Sequence, residues 1–89
     1  MYAIVTVVGK DRVGIIANVC TLLAQNEVNI LDVSQTVLQN YFTMIMRVDT
    51  SSCSLPFVEL SSTLKTRGEE QALSIRIQRE DIFEAMHRI

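Results

Sequence analysis

The sequence predicts an α+β ferredoxin-like sandwich: a four-stranded antiparallel sheet with two helices on one face, followed by a short C-terminal helix. Three observations predict it. The apolar period switches between two and about 3.6 in the order β-α-β-β-α-β. A Gln39-Asn40 pair separates two strand-length runs, as a short hairpin turn does. A polar turn bounded by glycines, Gly9-Lys10-Asp11-Arg12-Val13-Gly14, joins the first strand to the first helix.

Tyr2 to Val8 is rich in β-branched residues and apolar on both faces, the pattern of a central strand covered on both sides. Ile15, Ile16, Val19, Leu22 and Leu23 then form one stripe of an amphipathic helix. Asp11 is the candidate N-cap, and the helix is expected to end near Gln25-Asn26, with Asn26 in the left-handed cap conformation. Asn29 to Leu38 reads as a second strand of mixed polarity, whose Asp32, Ser34 and Gln35 suit an edge or a dimer interface.

In the third strand, Tyr41 to Asp49, the residues Phe42, Met44, Met46 and Val48 alternate with Tyr41, Thr43, Ile45 and Arg47 and form the core face. The polar loop 50–54 leads to a helix start at Ser54-Leu55-Pro56, since proline is tolerated in a first turn. Phe57, Leu60 and Leu64 give this helix its buried stripe and Gly68 its C-cap. Leu73, Ile75 and Ile77 alternate with polar residues in a one-sided fourth strand. Glu80 to Arg88 reads as a helix with Ile82, Phe83, Met86 and Ile89 on one side, and His87 near its C-terminus serves the helix dipole.

Length and composition bound the function. Residues 1–89 are expected to form one domain, and a chain this short buries only roughly 60–65% of its unfolded surface, so a second subunit would stabilise it. With 48% hydrophobic and 20% charged residues the composition is globular. A net charge of −2 supplies no basic field for nucleic acid or an anionic membrane, and no apolar run approaches the roughly 18 residues of a span. The first eight residues lack a basic n-region and read as a strand, so a cytoplasmic protein with reduced thiols is expected. Cys20 is read as a helix residue near the core and Cys53 as a loop residue.

The fold hosts many activities, so the residues must choose among them. A soft-metal carrier needs a Cys-x-x-Cys in the first turn, and that turn has no cysteine. An RNA binder needs adjacent aromatics on the central strands and a basic surface; only Tyr2, Tyr41 and Phe42 are near, and the charge is wrong. An acylphosphatase would use Arg12 to hold phosphate with Asn29 or Asn40 placing water, but the turn lacks the further glycines of a phosphate cradle. What the turn does offer is a helix N-terminus with unpaired N–H groups, suited to a small carboxylate and without machinery for changing it. The residues point to a sensor rather than an enzyme, with no cofactor.

The segment GKDRVGIIA between strand and helix, followed by Asn29-Ile30 at the start of the second strand, resembles the ACT domain, a ferredoxin-like module that commonly binds amino acids. The family pattern of Gly-x-Asp-Arg-Pro-Gly, an aliphatic pair and a later Asn-Ile is matched at Gly9, Asp11, Arg12, Gly14, Ile15, Ile16, Asn29 and Ile30. It is departed from at Val13, where proline is frequent. Across essentially its whole length the chain resembles small stand-alone ACT-domain proteins of bacteria and archaea. It is similar more distantly to the ACT domains of the glycine-cleavage repressor and formyltetrahydrofolate deformylase.

The resemblance implies a regulatory homodimer that binds a small amino acid through Asp11, Arg12, Gly14, Ile15, Asn29 and Ile30, often where two subunits meet, and modulates a protein partner. N–H groups around Gly14 and Ile15 would take the α-carboxylate, Asp11 the α-ammonium, and the Asn29 amide either group. Plainer roles stand beside these: Asp11 as a helix cap, Gly14 as a close-packing glycine, Asn29 as a turn residue and Arg12 as a solvated charge. The alternative function is a protein-interaction adaptor without a ligand.

Overall fold

The computed structural model describes residues 1–10 and 13–86, with side chains described as far as residue 83. Asp11, Arg12, His87, Arg88 and Ile89, and the side chain of Met86, lie outside the described residues. The elements run β1 (Tyr2–Lys10), α1 (Ile15–Gln25), β2 (Asn29–Leu38), β3 (Tyr41–Asp49), α2 (Phe57–Glu70), β4 (Leu73–Arg79) and α3 (Glu80–Met86). The sheet is antiparallel throughout in the order β2-β3-β1-β4, the ferredoxin-like arrangement that the order of elements predicts.

Alternation places the core. Ala3, Val5 and Val7 of β1 pair with Val48, Met46 and Met44 of β3, and Val5 and Val7 also pair with Ile77 and Ile75 of β4. All of these are buried, on the face that takes Ile15, Val19, Leu22 and Leu23 of α1 and Leu60 and Leu64 of α2. No described residue that is buried is polar or charged, so the interior is held by apolar burial and packing alone. Phe57 is only partly buried, and Ile16, counted in the helix stripe, is 40% exposed beside it.

β1 is longer than the sequence suggests. Gly9 and Lys10 stay in the ladder, paired with Phe42 and Tyr41, and the turn shrinks accordingly. Gly9 is therefore a strand residue at a close approach: a Cβ there would lie 2.5 Å from Cδ2 of Leu73 on β4. β1 is central, as expected, but its second face is covered only in part. Tyr2 and Val8 are exposed there, and Ile4 and Thr6 half-buried.

The helix ends also differ from expectation. The N-cap of α1 is Gly14, with no side-chain cap bond, rather than Asp11. At its C-terminus Asn26 has φ −96° and Glu27 takes the left-handed conformation at φ 58°. The Val28 N–H donates to the Leu23 carbonyl at 3.0 Å and that of Glu27 to Ala24 at 3.0 Å, the paired bonds of a Schellman motif. Asn26 contributes differently, its Nδ2 donating to the Leu22 carbonyl at 2.9 Å. α2 is capped by Pro56 rather than Ser54, and it continues past Gly68 to Glu70.

Gly68 thus lies inside α2, where a Cβ would meet Cγ1 of Ile75 at 2.8 Å and the Leu73 carbonyl at 3.0 Å. The left-handed position after this helix is held by Ala72 at φ 58°. An alanine there carries a steric cost that glycine does not, so Ala72→Gly is expected to stabilise the fold by about 0.5–1 kcal/mol. Thermal unfolding checks this as a rise of roughly 2–8 °C in Tm.

β2 is an edge strand, exposed along almost all its length, with a bulge between Ile30 and Asp32. β4 forms the other edge. No helix of the described residues is long and apolar enough to cross a membrane.

Candidate functional site

The ends of β1, β2 and the start of β3 meet the N-terminus of α1 at one end of the sheet. Val37 pairs with Phe42, and Phe42 with Gly9, so one row of the sheet runs beneath the helix start. Above this row lies an open groove of about 570 Å3, lined by Gly14, Ile15, Ile16, Ala17, Cys20, Gln35, Val37 and Phe42. Phe42 and Ile15 are both buried and form the floor, while Ile16 and Val37 are exposed walls. Among the described lining side chains only Gln35 is strongly polar, and none is charged.

Gly14 shapes the mouth. Its φ of 90° and ψ of 0° put it in the left-handed region, where an L side chain is strained. The space around its missing Cβ is open, the nearest atom being Nδ2 of Asn18 at 4.0 Å. The Asn18 N–H donates to the Gly14 carbonyl at 2.9 Å, the first helical bond. The N–H groups of the turn before it, at Ile15, Ile16 and Ala17, have no helical acceptor. No side-chain cap bond from a described residue satisfies them and α1 has no acidic residue in its first turn, so the positive end of the helix dipole is offered at this groove.

Of the expected site residues, Gly14 and Ile15 line this groove. Asp11 and Arg12 lie outside the described residues. Asn29 and Ile30 are elsewhere in the same chain. They pair with Asp49 and Val48 at the far end of β2, eight positions before Val37 and so roughly 25 Å along the strand. Asn29 is exposed and Ile30 half-buried against the core. Asn40, the other phosphatase candidate, sits in the exposed hairpin turn beside Lys10 and does not line the groove.

Sequence reasoning missed Ile16, Ala17, Cys20, Gln35, Val37 and Phe42 as groove residues. Ile16 and Cys20 are four apart on α1, beside the buried stripe, which is the signal that marks a second, half-buried helix face. For β2 the signal is broken by the bulge, which shifts the alternation so that Val33, Gln35 and Val37 share the helix side with Ile30.

Other features are local. A groove of about 440 Å3 between α2 and β4 is lined by Ser61, Lys65, Glu69 and Arg76 among others, and a notch between α1 and α2 holds Gln71, whose buried Oε1 accepts no hydrogen bond from the described residues. Asp49 accepts from the hydroxyl and N–H of Ser51, which hold its carboxyl below the usual range. Arg47 lies 4.3 Å over the Tyr2 ring and binds Glu80 at 2.6 Å, tying the start of α3 to the sheet.

The β-α-β-β-α-β order, the sheet order β2-β3-β1-β4 and the glycine-bounded first turn define a ferredoxin-like domain of the ACT type. The chain belongs to the ACT domain family, whose sequence model matches residues 1–78. A UPF0237 protein of Clostridium acetobutylicum is 49% identical to it over 89 residues, spanning 100% of both chains. Among solved structures, an ACT domain protein from Streptococcus pneumoniae superposes with a TM-score of 0.83 at 44% identity, covering 94% of each chain. A glycine cleavage system transcriptional repressor is similar over 86% of this chain and 44% of its own, with a TM-score of 0.71 at 26% identity.

Proposed function

We propose that this chain is a regulatory ACT module without catalysis of its own, which binds a small amino acid as a homodimer and so modulates a protein partner. The observation that carries the reading is the groove at Gly14, where unpaired N–H groups at the start of α1 adjoin an uncharged, mostly apolar wall. The α-carboxylate sits at the N–H groups of Ile15 and Ile16. An uncharged side chain lies along Ile16, Cys20 and Val37, since a charged one would lose its hydration there without a partner. Asp11 supplies the acceptor for the ammonium, as the family pattern implies, and Arg12 follows it in that pattern.

Dimerisation accounts for the distance between Asn29 and the groove. β2 is an exposed edge, and two copies of an edge strand pair antiparallel about a two-fold axis. Centred near the middle of β2, that pairing sets Asn29 and Ile30 of a second copy beside Val37 and Leu38, at the groove. Each site then draws on both chains, so ligand occupancy and subunit contact are thermodynamically linked.

Titration calorimetry and thermal unfolding against the twenty amino acids test the reading. One or a few uncharged amino acids are expected to give saturable heat and to add about 2.7 kcal/mol of stability at a hundredfold excess over Kd. Asn29→Ala should weaken that response while leaving the groove of each chain intact. No heat and no shift with any amino acid would sink the ligand claim and leave the adaptor reading.

A further inference from the structure

We propose that the free edge of β4, with the stripe of α2 beside it, is a docking groove for an extended acidic segment of a protein partner, which adds to the sheet as a further strand. The proposal names a surface for the partner in the regulatory reading and rests on that reading only for there being a partner. The Gly14 groove and the β2 edge take no part in it.

β4 ends the sheet opposite β2, and among the described residues no strand pairs with its outer side. As on any edge, alternate residues there turn N–H and C=O groups outward without a ladder partner. α3 leads away from them. Its first residue, Glu80, is bonded to Arg47 of β3, which draws the start of the helix over β1 and away from the β4 edge.

The groove of about 440 Å3 follows this edge. One side of it is residues 73–78 in unbroken succession. Successive side chains of a strand face opposite ways, so a groove lined by such a run follows the edge rather than either face. The other side is Ser61, Lys65 and Glu69 of α2, each four residues from the next and so on one helix face. Residues so spaced repeat every 6 Å or so along a helix, and same-face residues about every 6.6 Å along a strand. A strand laid on β4 thus sets three alternate side chains against those three. This is the geometry of strand addition, in which the ladder supplies affinity and alternate side chains supply selectivity.

Charge selects the occupant. Lys65, on the helix side, and Arg76, on the other face of the strand, are both exposed, and neither forms an ion pair with another described residue. Neighbouring residues of an added strand face those two sides in turn, so two adjacent carboxylates meet both cations. Glu69 is exposed and without an ion pair in the same way, near the Ala72 turn that opens β4, and it suits a basic residue. A strand antiparallel to β4 therefore carries, in chain order, a small polar residue opposite Ser61, an acidic one opposite Lys65, an acidic one beside Arg76 and a basic one opposite Glu69. A second copy of this chain fits the edge poorly. Arg76 is the middle residue of Leu73–Arg79, so two β4 edges paired over their full length about a two-fold axis set Arg76 against Arg76.

A capped, fluorescein-labelled heptapeptide, Val-Thr-Val-Glu-Glu-Lys-Thr, is the probe. Titrated into the isotope-labelled full chain, it is expected to bind saturably by anisotropy and to move the amide resonances of residues 73–78 and 61–69. Lys65→Glu and Arg76→Glu should each weaken binding about fivefold, and a probe with Lys-Lys for Glu-Glu should prefer the double variant. N-methylation at one or the other Glu of the probe removes a ladder donor from one or the other side of the peptide. One of the two methylated probes should lose about tenfold in affinity and the other much less. No saturable binding, equal affinity for the charge-reversed probe, or no loss with either methylated probe would overturn the proposal. So would a wild-type sedimentation mass that falls with Arg76→Glu, because the edge would then belong to a second copy. Amino-acid titration of both charge variants separates the two readings, since neither residue lines the Gly14 groove. Amino-acid heat without peptide binding removes the docking edge alone, and peptide binding without amino-acid heat leaves the edge standing and removes the ligand.

Discussion

Gly68→Val is expected to lower the unfolding free energy by about 3 kcal/mol, a large share of the stability of so small a fold. The residue lies inside α2, and its missing Cβ leaves the space into which β4 packs. A Cβ would lie 2.8 Å from Cγ1 of Ile75, which is 2% exposed and has nowhere to retreat. It would also approach the Leu73 carbonyl to 3.0 Å, and that backbone is fixed by the ladder to Gly9. Gly68→Ala shows the balance: an alanine in a helix interior gains about 1 kcal/mol, which overpacking of about 1–3 kcal/mol outweighs. Chemical denaturation of both variants measures this. Gly68→Asn separates a packing role from a cap role, because asparagine is tolerated at a left-handed cap and not in a packed contact. A loss under about 0.5 kcal/mol for Gly68→Asn would return this glycine to a capping role.

Gly14→Val is expected to act on stability and ligand response together. The position has φ 90° and open space around it, so the cost is backbone strain rather than a clash. For a β-branched residue this is about 2 kcal/mol, or roughly 8–16 °C in Tm. Relief of that strain moves the first turn of α1, and with it the N–H groups offered to a carboxylate, so the heat of amino-acid binding should vanish. Gly14→Asn, which tolerates the left-handed region better, should recover part of both. If Gly14→Val binds amino acids as tightly as the wild type, the ligand is held elsewhere.

Much of this fold was legible in the sequence because alternation survives burial. Phe42, Met44, Met46 and Val48 were assigned to the core from period two alone, and all four are buried. The bounds of β2 and β3 and the hairpin between them follow from the Gln39-Asn40 break, where Gln39 takes φ 56°. Helix ends were less legible, because a cap depends on φ as much as on residue type. Glu27 and Ala72 hold left-handed positions that Asn26 and Gly68 suit better by type, and only the packing of the following strands requires this. Of the candidate site, Gly14 and Ile15 were visible through the turn motif. Gln35 and Val37 were not, because the bulge at Leu31 reverses which side of β2 each residue faces.

The sequence by itself determined the order of elements, the core face of each strand and the glycine-bounded turn that marks the family. These depend on local period and residue type, which a chain carries wherever it folds. Tertiary structure alone decided that Gly9 and Gly68 are close-approach residues rather than turn and cap. It also decided that α1, β2 and β3 line a groove while Asn29 lies at the far end of its strand. Those are distances between segments remote in sequence, set by register and by how closely backbones pack, and no spacing along a single chain encodes them.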